Sequence, residues 1–309
     1  MFGSHLSIAG GISNALTAAA DQKMDCVQIF TKNQRQWKVK PLQMQEIEAW
    51  MAALCKNGWD RKQGRVVSHN SYLVNLASPD TQARNNSIAL QREEMGRCET
   101  LHIPLLVSHP GARLGRPRGR GDSNQLGQAP TREEVDGLKR IVKSLNRLHA
   151  DLPGYNTVTC IETTVGSGTN LGYDFQHLAW IREQVAQPER VAFCFDTCHV
   201  TGAGYDMSTI TKARRVLQHF DEIAGLSNIG VFHFNDSIGT VGSRIDRHAH
   251  IGEGTCGLSC FRSILELPMF DLVPKILETP KEDSPSGEAM DQVNLTTLRR
   301  MAKVAKKRR

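Results

Sequence analysis

The sequence predicts a single-domain (β/α)8 barrel, in which eight parallel strands alternate with helices. Short apolar runs and helix-length segments alternate eight times along 309 residues, a length that is ordinary for this fold. The runs are apolar throughout rather than at every second position, as expected of parallel strands buried on both faces. A doubly wound open sheet is the competing architecture. It usually has fewer strands, and the glycine-rich segment 166–172 has the wrong spacing for its phosphate-binding loop.

The predicted strands are short and occur along the whole chain. In order they span residues 2–8, 26–30, 65–69, 105–109, 158–162, 191–196, 229–233 and 275–278. Each is followed by a predicted helix, and the helices span residues 12–20, 41–57, 87–101, 131–148, 175–185, 209–223, 261–267 and 292–303. Pro41 suits a first helical turn and Gly58 a helix end, while Thr131 and Glu134 form a capping box.

Histidines and acidic residues lie at the carboxyl ends of the third to the eighth predicted strand. In a barrel these ends converge on one rim. Each residue alone would be explained as a buried histidine bonded to a carbonyl, or as a paired carboxylate. Six in succession within one low-dielectric site are costly unless cations compensate, so the sequence predicts a polynuclear metal site at the rim. The six are His69, His109, Glu162, Asp196, His233 and Glu278.

Three further candidate ligands lie near these strand ends. Asp246 and His248 flank Arg247 in a long polar loop, so both side chains leave the same side of an extended segment. A solvated polar loop is the alternative for this segment alone. His199 follows Asp196 by three residues. Nine imidazoles and carboxylates suit two or three metal ions, zinc above all, with manganese or iron as substitutes.

Composition bounds the class of protein. The eight cysteines include no Cys-x-x-Cys pair, and neither a signal peptide nor a long apolar run is present, which predicts a reduced, intracellular protein without membrane contact. We expect Cys194 and Cys198 to serve packing, and His102, His149, His177 and His219 to lie at the surface. The predicted location is the bacterial cytoplasm, or the nucleus if the source is eukaryotic.

The formal net charge of +6 is unevenly placed. Arginines crowd a long loop at 111–130, and lysines and arginines crowd a tail at 303–309. Such clusters favour contact with a polyanion, although a solvated loop and a frayed tail explain them as well.

Several longer motifs resemble the endonuclease IV family of zinc-dependent apurinic/apyrimidinic endonucleases. The resemblance runs from His5 to Glu278, and it implies a (β/α)8 barrel that acts as a monomer with three zinc ions. It also implies hydrolysis of double-stranded DNA on the 5′ side of an abasic site to leave a 3′-hydroxyl, and removal of blocked 3′ ends. The motifs are Thr31-Lys-Asn-Gln-Arg-Gln-Trp37, His69-Asn-Ser-Tyr-Leu73, Asp196-Thr-Cys-His199, Ala203-Gly-Tyr-Asp206, His233-Phe-Asn-Asp236, Gly242-Ser-Arg-Ile-Asp-Arg-His248 and Gly252-Glu-Gly254.

The resemblance also implies a role for each candidate ligand. Glu162 would bridge two zinc ions, and Asp196 and Glu278 would have second roles in orienting the attacking water. Because zinc lowers the pKa of bound water, no side-chain base is required. The implied ligand sets are His69, His109 and Glu162 for the first ion, Glu162, Asp196, His233 and Glu278 for the second, and His199, Asp246 and His248 for the third.

DNA contacts are implied for the loops after the second and third strands. In the family these loops enter the duplex, which points here to Arg35 and Gln36 and to Tyr72 and Leu73. An aromatic and an aliphatic side chain suit the gap left by a missing base. Without the resemblance, Tyr72 and Leu73 would be ordinary loop packing and Arg35 a solvated charge.

The chain departs from the family pattern at two positions. Thr163 replaces the usual Asn after Glu162, and Ala249 stands where relatives can have His, so Ala249 and His250 are left out of the ligand set. Two alternatives remain open. A barrel sugar isomerase or epimerase would use two metals and a free sugar, with no need for Arg35 or Tyr72. A non-catalytic DNA-binding protein would have no reason to collect nine ligands.

Overall fold

The structure, a computed structural model, describes residues 1–38, 40–60, 64–116 and 126–308. Eight parallel strands close into a barrel in chain order, and β1 pairs with β8 to complete it. The predicted fold class is confirmed. The strands are β1 (Phe2–His5), β2 (Cys26–Ile29), β3 (Val66–His69), β4 (Leu105–Ser108), β5 (Val158–Glu162), β6 (Val191–Asp196), β7 (Ile229–His233) and β8 (Lys275–Leu277).

Helices follow the strands around the outside of the barrel. The predicted capping box of α4 is confirmed, since Thr131 Oγ1 accepts from the Glu134 N–H and Glu134 Oε2 accepts from the Thr131 N–H. The helices are α1 (Asn14–Asp21), α2 (Met44–Lys56), α3 (Thr81–Thr100), α4 (Arg132–Asp151), α5 (Phe175–Gln184), α6 (Thr197–Ala203), α7 (Ile210–Ala224), α8 (Gly257–Leu265) and α9 (Met290–Arg308).

Several helices differ from their predictions. α2 begins at Met44 and leaves Pro41 outside, since the Glu46 carboxylate accepts from the Gln43 N–H and caps the helix there, and α8 begins at Gly257 rather than at residue 261. α3 begins at Thr81 rather than at residue 87, because its first turn is polar and apolar periodicity starts only at Ile88. α6 is additional, and its short span directly after β6 gives too little periodicity to be detected. α9 continues to Arg308, so the basic tail predicted at 303–309 belongs to a helix as far as it is described.

The basic loop predicted at 111–130 lies partly outside the described residues, which exclude 117–125. Within the described part, Arg113 donates to the carbonyls of Leu114 and Arg116. No described helix is long and apolar enough to cross a membrane.

The barrel interior contains one apolar layer just below the carboxyl rim. Side chains two residues apart on a strand point to the same side, so each residue of this layer is followed, two positions later, by a residue at the rim. Gly3 on β1 has no side chain here, and a Cβ atom would lie 1.8 Å from the Cys26 carbonyl oxygen. The layer consists of Cys26, Val67, Val107, Cys160, Cys194, Val231 and Ile276.

Two histidines predicted at the surface are buried. His149 on α4 and His177 on α5 are each 2% exposed, whereas His102 is exposed as predicted. His149 follows Leu145 by four residues, and this spacing places it on the apolar face of α4.

Candidate metal centre

The rim residues above the apolar layer are the polar residues that the sequence singled out, together with one amide. The residues that follow the apolar layer by two positions along their strands are Gln28, His69, His109, Glu162, Asp196, His233 and Glu278. The strand register therefore brings all six strand-end candidates to one side of the barrel.

His69, His109 and Glu162 form the first group. Glu162 Oε2 lies 3.0 Å from His109 Nε2 and 3.4 Å from His69 Nε2. His69 Nδ1 donates to the Asn70 carbonyl at 2.8 Å, which leaves Nε2 as the nitrogen with a free lone pair. The two imidazoles and the carboxylate thus offer three ligand atoms within 4.8 Å of one another.

The second group shares Glu162 with the first and adds Asp196, His233 and Glu278. His233 Nδ1 lies 2.9 Å from Glu162 Oε1, 3.2 Å from Glu278 Oε2 and 3.8 Å from Asp196 Oδ2. All four residues present ligand atoms within 4.8 Å of one another. Cys194 lies beside Glu162 and His233, and burial raises the pKa of its thiol well above the usual range, which keeps it protonated.

The third group contains Asp196, His199 and His248, with Asp246 beside them. Asp246 Oδ1 lies 3.1 Å from His199 Nε2 and 3.5 Å from His248 Nε2. Both imidazoles donate from Nδ1 to carbonyl oxygens, His199 to Thr163 at 2.8 Å and His248 to Glu278 at 3.0 Å. Their Nε2 atoms therefore face the Asp246 carboxylate, where a metal ion could take the place of a proton.

Opposite charges set the protonation of this site. Burial would raise the pKa of Glu162, but His233 and His109 outweigh it and hold that pKa well below the usual range. Burial would lower the pKa of His233, but Glu278 and Glu162 raise it to about 9. His199 is likewise raised well above its usual pKa, since Asp196 and Asp246 outweigh its burial. The charges of the site therefore favour bound cations, either protons or metal ions.

The donor set fits metal ions better than protons alone. Glu162 Oε2 and His248 Nε2 are buried and face oppositely charged groups, His109 Nε2 at 3.0 Å and Asp246 Oδ1 at 3.5 Å, but neither makes a well-directed hydrogen bond to a described residue. Poorly satisfied buried polar atoms are costly, and a metal ion would satisfy both atoms. The site therefore fits metal binding.

Four residues that the sequence did not single out as partners hold the ligands in place. Gln28 accepts from His233 Nε2 at 2.9 Å and donates to Glu278 Oε1 at 2.7 Å, which turns His233 Nδ1 toward the carboxylates. His5 Nδ1 lies 3.1 Å from the same Glu278 oxygen. Asn235 donates to Asp196 Oδ2, and Thr163 Oγ1 accepts from the Asp196 N–H. Thr163 thus holds the backbone of Asp196 through its hydroxyl.

The loop that carries Asp246 and His248 is fastened by Asp236. Residues Asp236–Ser237 and His248–Ala249 pair as a short antiparallel ribbon. The buried Asp236 carboxylate accepts from the N–H groups of Ser237 and Cys256 at 2.8 Å, Gly252 at 3.0 Å and Gly257 at 3.3 Å. The loop is therefore anchored at both ends, although Asp246 itself is 49% exposed.

Of the four residues predicted to contact DNA, Tyr72 and Leu73 follow shortly after His69, and Arg35 and Gln36 lie on a neighbouring loop. Tyr72 is 60% exposed, and its ring centroid lies 5.5 Å from that of His69 and 6.2 Å from that of His109. Leu73 beside it is partly buried, whereas Arg35 and Gln36 are exposed. We call residues 30–38 the β2 loop and residues 70–75 the β3 loop. The Ser71 hydroxyl donates to the Gln34 carbonyl at 2.7 Å, so the two loops are in contact.

The closed barrel with imidazoles and carboxylates at its carboxyl rim defines a class, the xylose isomerase-like TIM barrels, and the model of that family matches residues 16–300. Within the class, the chain is 40% identical over 306 residues to a probable endonuclease 4 of Chloroflexus aurantiacus, covering 98% of this chain and 99% of the relative. It is 42% identical over 304 residues to a probable endonuclease 4 of Geobacter sulfurreducens, covering 97% and 94%.

A solved structure agrees with these relatives. The crystal structure of endonuclease IV from Thermus thermophilus superimposes with a TM-score of 0.78 at 32% identity, covering 98% of each chain. The chain belongs to the endonuclease IV family. A D-tagatose 3-epimerase-like protein superimposes with a TM-score of 0.67 at 17% identity, a likeness of fold alone.

Proposed function

We propose that this protein is an apurinic/apyrimidinic endonuclease that hydrolyses the phosphodiester on the 5′ side of an abasic site in double-stranded DNA. The products would be a nick with a 3′-hydroxyl, and the same site would trim blocked 3′ ends. The observation that carries the proposal is the grouping of the strand-end ligands on one rim, with Glu162 shared by two groups. Membership of the endonuclease IV family adds the substrate class.

Three zinc ions are the proposed cofactors, with manganese or iron as substitutes. When bound, they would lower the pKa of water and neutralise charge on the reacting phosphate. Glu162 lies where one carboxylate can serve two ions, because its two oxygens face different imidazoles. The proposed ligands are His69, His109 and Glu162, then Glu162, Asp196, His233 and Glu278, and finally His199, Asp246 and His248.

The protein's own contribution is to orient the proposed metal ligands. Gln28 fixes the tautomer of His233, and Asn235 fixes Asp196 and receives the Glu278 N–H. With the imidazoles held by such bonds, the ligands need little rearrangement to bind metal. Asp196 and Glu278 are the carboxylates proposed to orient the attacking water.

Recognition of the abasic site is proposed for the two loops at the mouth. Tyr72 and Leu73 would fill the gap left by the missing base, while Arg35 and Gln36 would enter the duplex from the β2 loop. The exposure of Arg35, Gln36 and Tyr72 supports this proposal. A free-sugar epimerase would leave these three side chains without a function.

The proposal is tested with the zinc-loaded protein and a duplex that carries one abasic analogue unable to undergo β-elimination. We expect a single nick 5′ to the analogue and a 3′-hydroxyl that a polymerase extends, read on a sequencing gel. A Glu162→Gln variant should lose this activity, whereas Glu133→Gln, an exposed charge loss on α4, should retain it. No nick by fully loaded protein would reject the proposal and direct attention to sugar substrates.

A further inference from the structure

A buried ion pair lies beneath the two loops at the mouth of the site. Lys32 Nζ on the β2 loop lies 3.6 Å from Glu94 Oε1 on α3, and their side chains are only 6% and 1% exposed. Neither residue faces the metal groups. Burying two charges is costly, and replacing such a pair by apolar residues often leaves stability unchanged or raises it. Stability alone therefore does not account for the pair.

Lys32 uses its remaining donors on the β2 loop itself. Its ammonium group donates to the carbonyls of Asn33 at 2.9 Å and Gln36 at 2.8 Å. These carbonyls bracket Arg35, whose backbone N–H donates to Asn33 Oδ1 at 2.9 Å. The charge of Lys32 thus fixes the turn that presents Arg35 and Gln36.

Glu94 reaches the β3 loop with the same oxygen that faces Lys32. Glu94 Oε1 accepts from the Ser71 N–H at 3.1 Å, directly before Tyr72. Ser71 in turn donates from its hydroxyl to the Gln34 carbonyl and accepts from the Leu73 N–H at 3.3 Å. One turn further along α3, Arg97 donates to the Thr31 carbonyl near the start of the β2 loop and to the Lys40 carbonyl two residues beyond its end.

The exposed side chains of the two loops differ from the backbone beneath them in their hydrogen bonding. The side chains of Arg35, Gln36 and Tyr72 make no hydrogen bond to any residue that the structure describes, whereas the backbones beneath them are bonded to buried charges. Side chains without hydrogen bonds on a fixed backbone suit insertion into DNA, since the backbone then loses little further conformational freedom on binding.

We propose that Lys32 and Glu94 are positioning residues that hold the β2 and β3 loops as one wedge, so that selection of abasic sites depends on this pair. The proposal rests on the proposed function and adds to it a residue pair remote from the metal groups. The two residues act through Arg35, Gln36 and Tyr72 and touch neither the metal nor the reacting phosphate.

The first test is Glu94→Gln, with Glu93→Gln as the matched control, because Glu93 is the neighbouring acid on α3 and is exposed. We expect KM for the abasic duplex to rise about tenfold in Glu94→Gln, which corresponds to about 1.4 kcal/mol of binding free energy. At saturating DNA, kcat and the zinc content should stay at the wild-type values. Glu93→Gln should match the wild type throughout.

A second variant guards against misfolding caused by an unpaired buried Lys32. The double replacement Lys32→Met with Glu94→Leu removes both charges and keeps apolar bulk, so it should fold while it releases the loop backbones. It should show the same rise in KM with unchanged kcat. Circular dichroism and thermal unfolding confirm that both variants are folded.

A double-mutant cycle separates positioning of the wedge from general damage. In a Tyr72→Ala background the side chain that Glu94 positions through Ser71 is already absent, so adding Glu94→Gln should raise KM less than about twofold further. Additive effects, an unchanged KM in folded Glu94→Gln, or a fall in kcat alone would each overturn the proposal. Absence of nicking by the wild-type protein in the same assay would instead reject the proposed function.

Discussion

Two sets of buried histidines in this molecule have opposite electrostatic surroundings. At the rim, His233 is fully buried against Glu162 and Glu278, and its pKa is raised to about 9. In the helical layer, His149 is 2% exposed, and burial, reinforced by Arg190, lowers its pKa to about 4. Neither ring nitrogen of His149 makes a hydrogen bond to any residue that the structure describes. Burial alone therefore does not mark a histidine as a ligand.

The difference lies in what faces each ring. Several carboxylates meet His233 because parallel strands bring their carboxyl ends together. Only Glu189 opposes the two effects that lower the pKa of His149, and it does not outweigh them. The surroundings of His233 thus favour a bound cation, whereas those of His149 disfavour one.

The largest expected effect comes from replacing one histidine of each kind by the same residue. His233→Gln should reduce abasic-site cleavage by at least on the order of 10³-fold, as removal of an essential group of a catalytic unit does. His149→Gln should leave kcat/KM within about twofold, since changes far from the site are nearly independent of it. Steady-state kinetics on the abasic duplex checks both variants. Equal losses in the two would show that burial, and not the facing carboxylates, determines the role of a histidine here.

A smaller effect is expected from replacing Gln28, which orients His233 but is not itself a proposed metal ligand. Gln28→Leu removes the bonds to His233 Nε2 and Glu278 Oε1 and frees the imidazole to rotate. We expect metal affinity or activity to fall about 10–100-fold, as for partners that orient ligands elsewhere. Zinc titration measures the metal affinity and steady-state kinetics the activity, and excess zinc should restore part of the activity. Wild-type zinc affinity together with wild-type kcat would contradict the role given to Gln28.

The smallest effect concerns stability at acid pH. Because the pKa of His149 lies at about 4, the unfolded chain, with a usual His pKa near 6.5, binds more protons between these values. The contribution of His149 to the free energy of unfolding is fully present above pH 6.5 and is lost as the pH falls to about 4, by on the order of 1 kcal/mol once solvent screening is allowed for. Urea unfolding of wild type and His149→Gln at pH 7.5 and pH 5 measures this. An identical pH dependence in both proteins would contradict the assignment.

Much of the rim could be predicted from the sequence because strand position and side-chain direction are coupled. Cys160 and Glu162, like Val231 and His233, are two residues apart on one strand, and this spacing puts the second residue of each pair above the apolar layer. The same spacing from Cys26 leads to Gln28. The role of Gln28 is not predicted from the sequence, because its amide carries no charge and an amide is not among the residue types expected as zinc ligands.

Other features could not be predicted because they depend on contacts distant in the chain. Asp236 is recognisable in the sequence as an acidic residue, but three of its four backbone donors come together only when the loop closes on α8. The partners of Glu94 lie on two other loops, 23 residues or more away in the chain. The burial of His149 was accessible from its spacing to Leu145, yet its polarity suggested the surface.

The measurement that tests the central claim most directly is an anomalous difference map at the zinc absorption edge, from crystals of the protein loaded with zinc. The account predicts three peaks at the rim, one in each ligand group, with Glu162 next to two of them, and no peak near His149. A zinc-loaded protein with no peak among His69, His233 and His248 would contradict it.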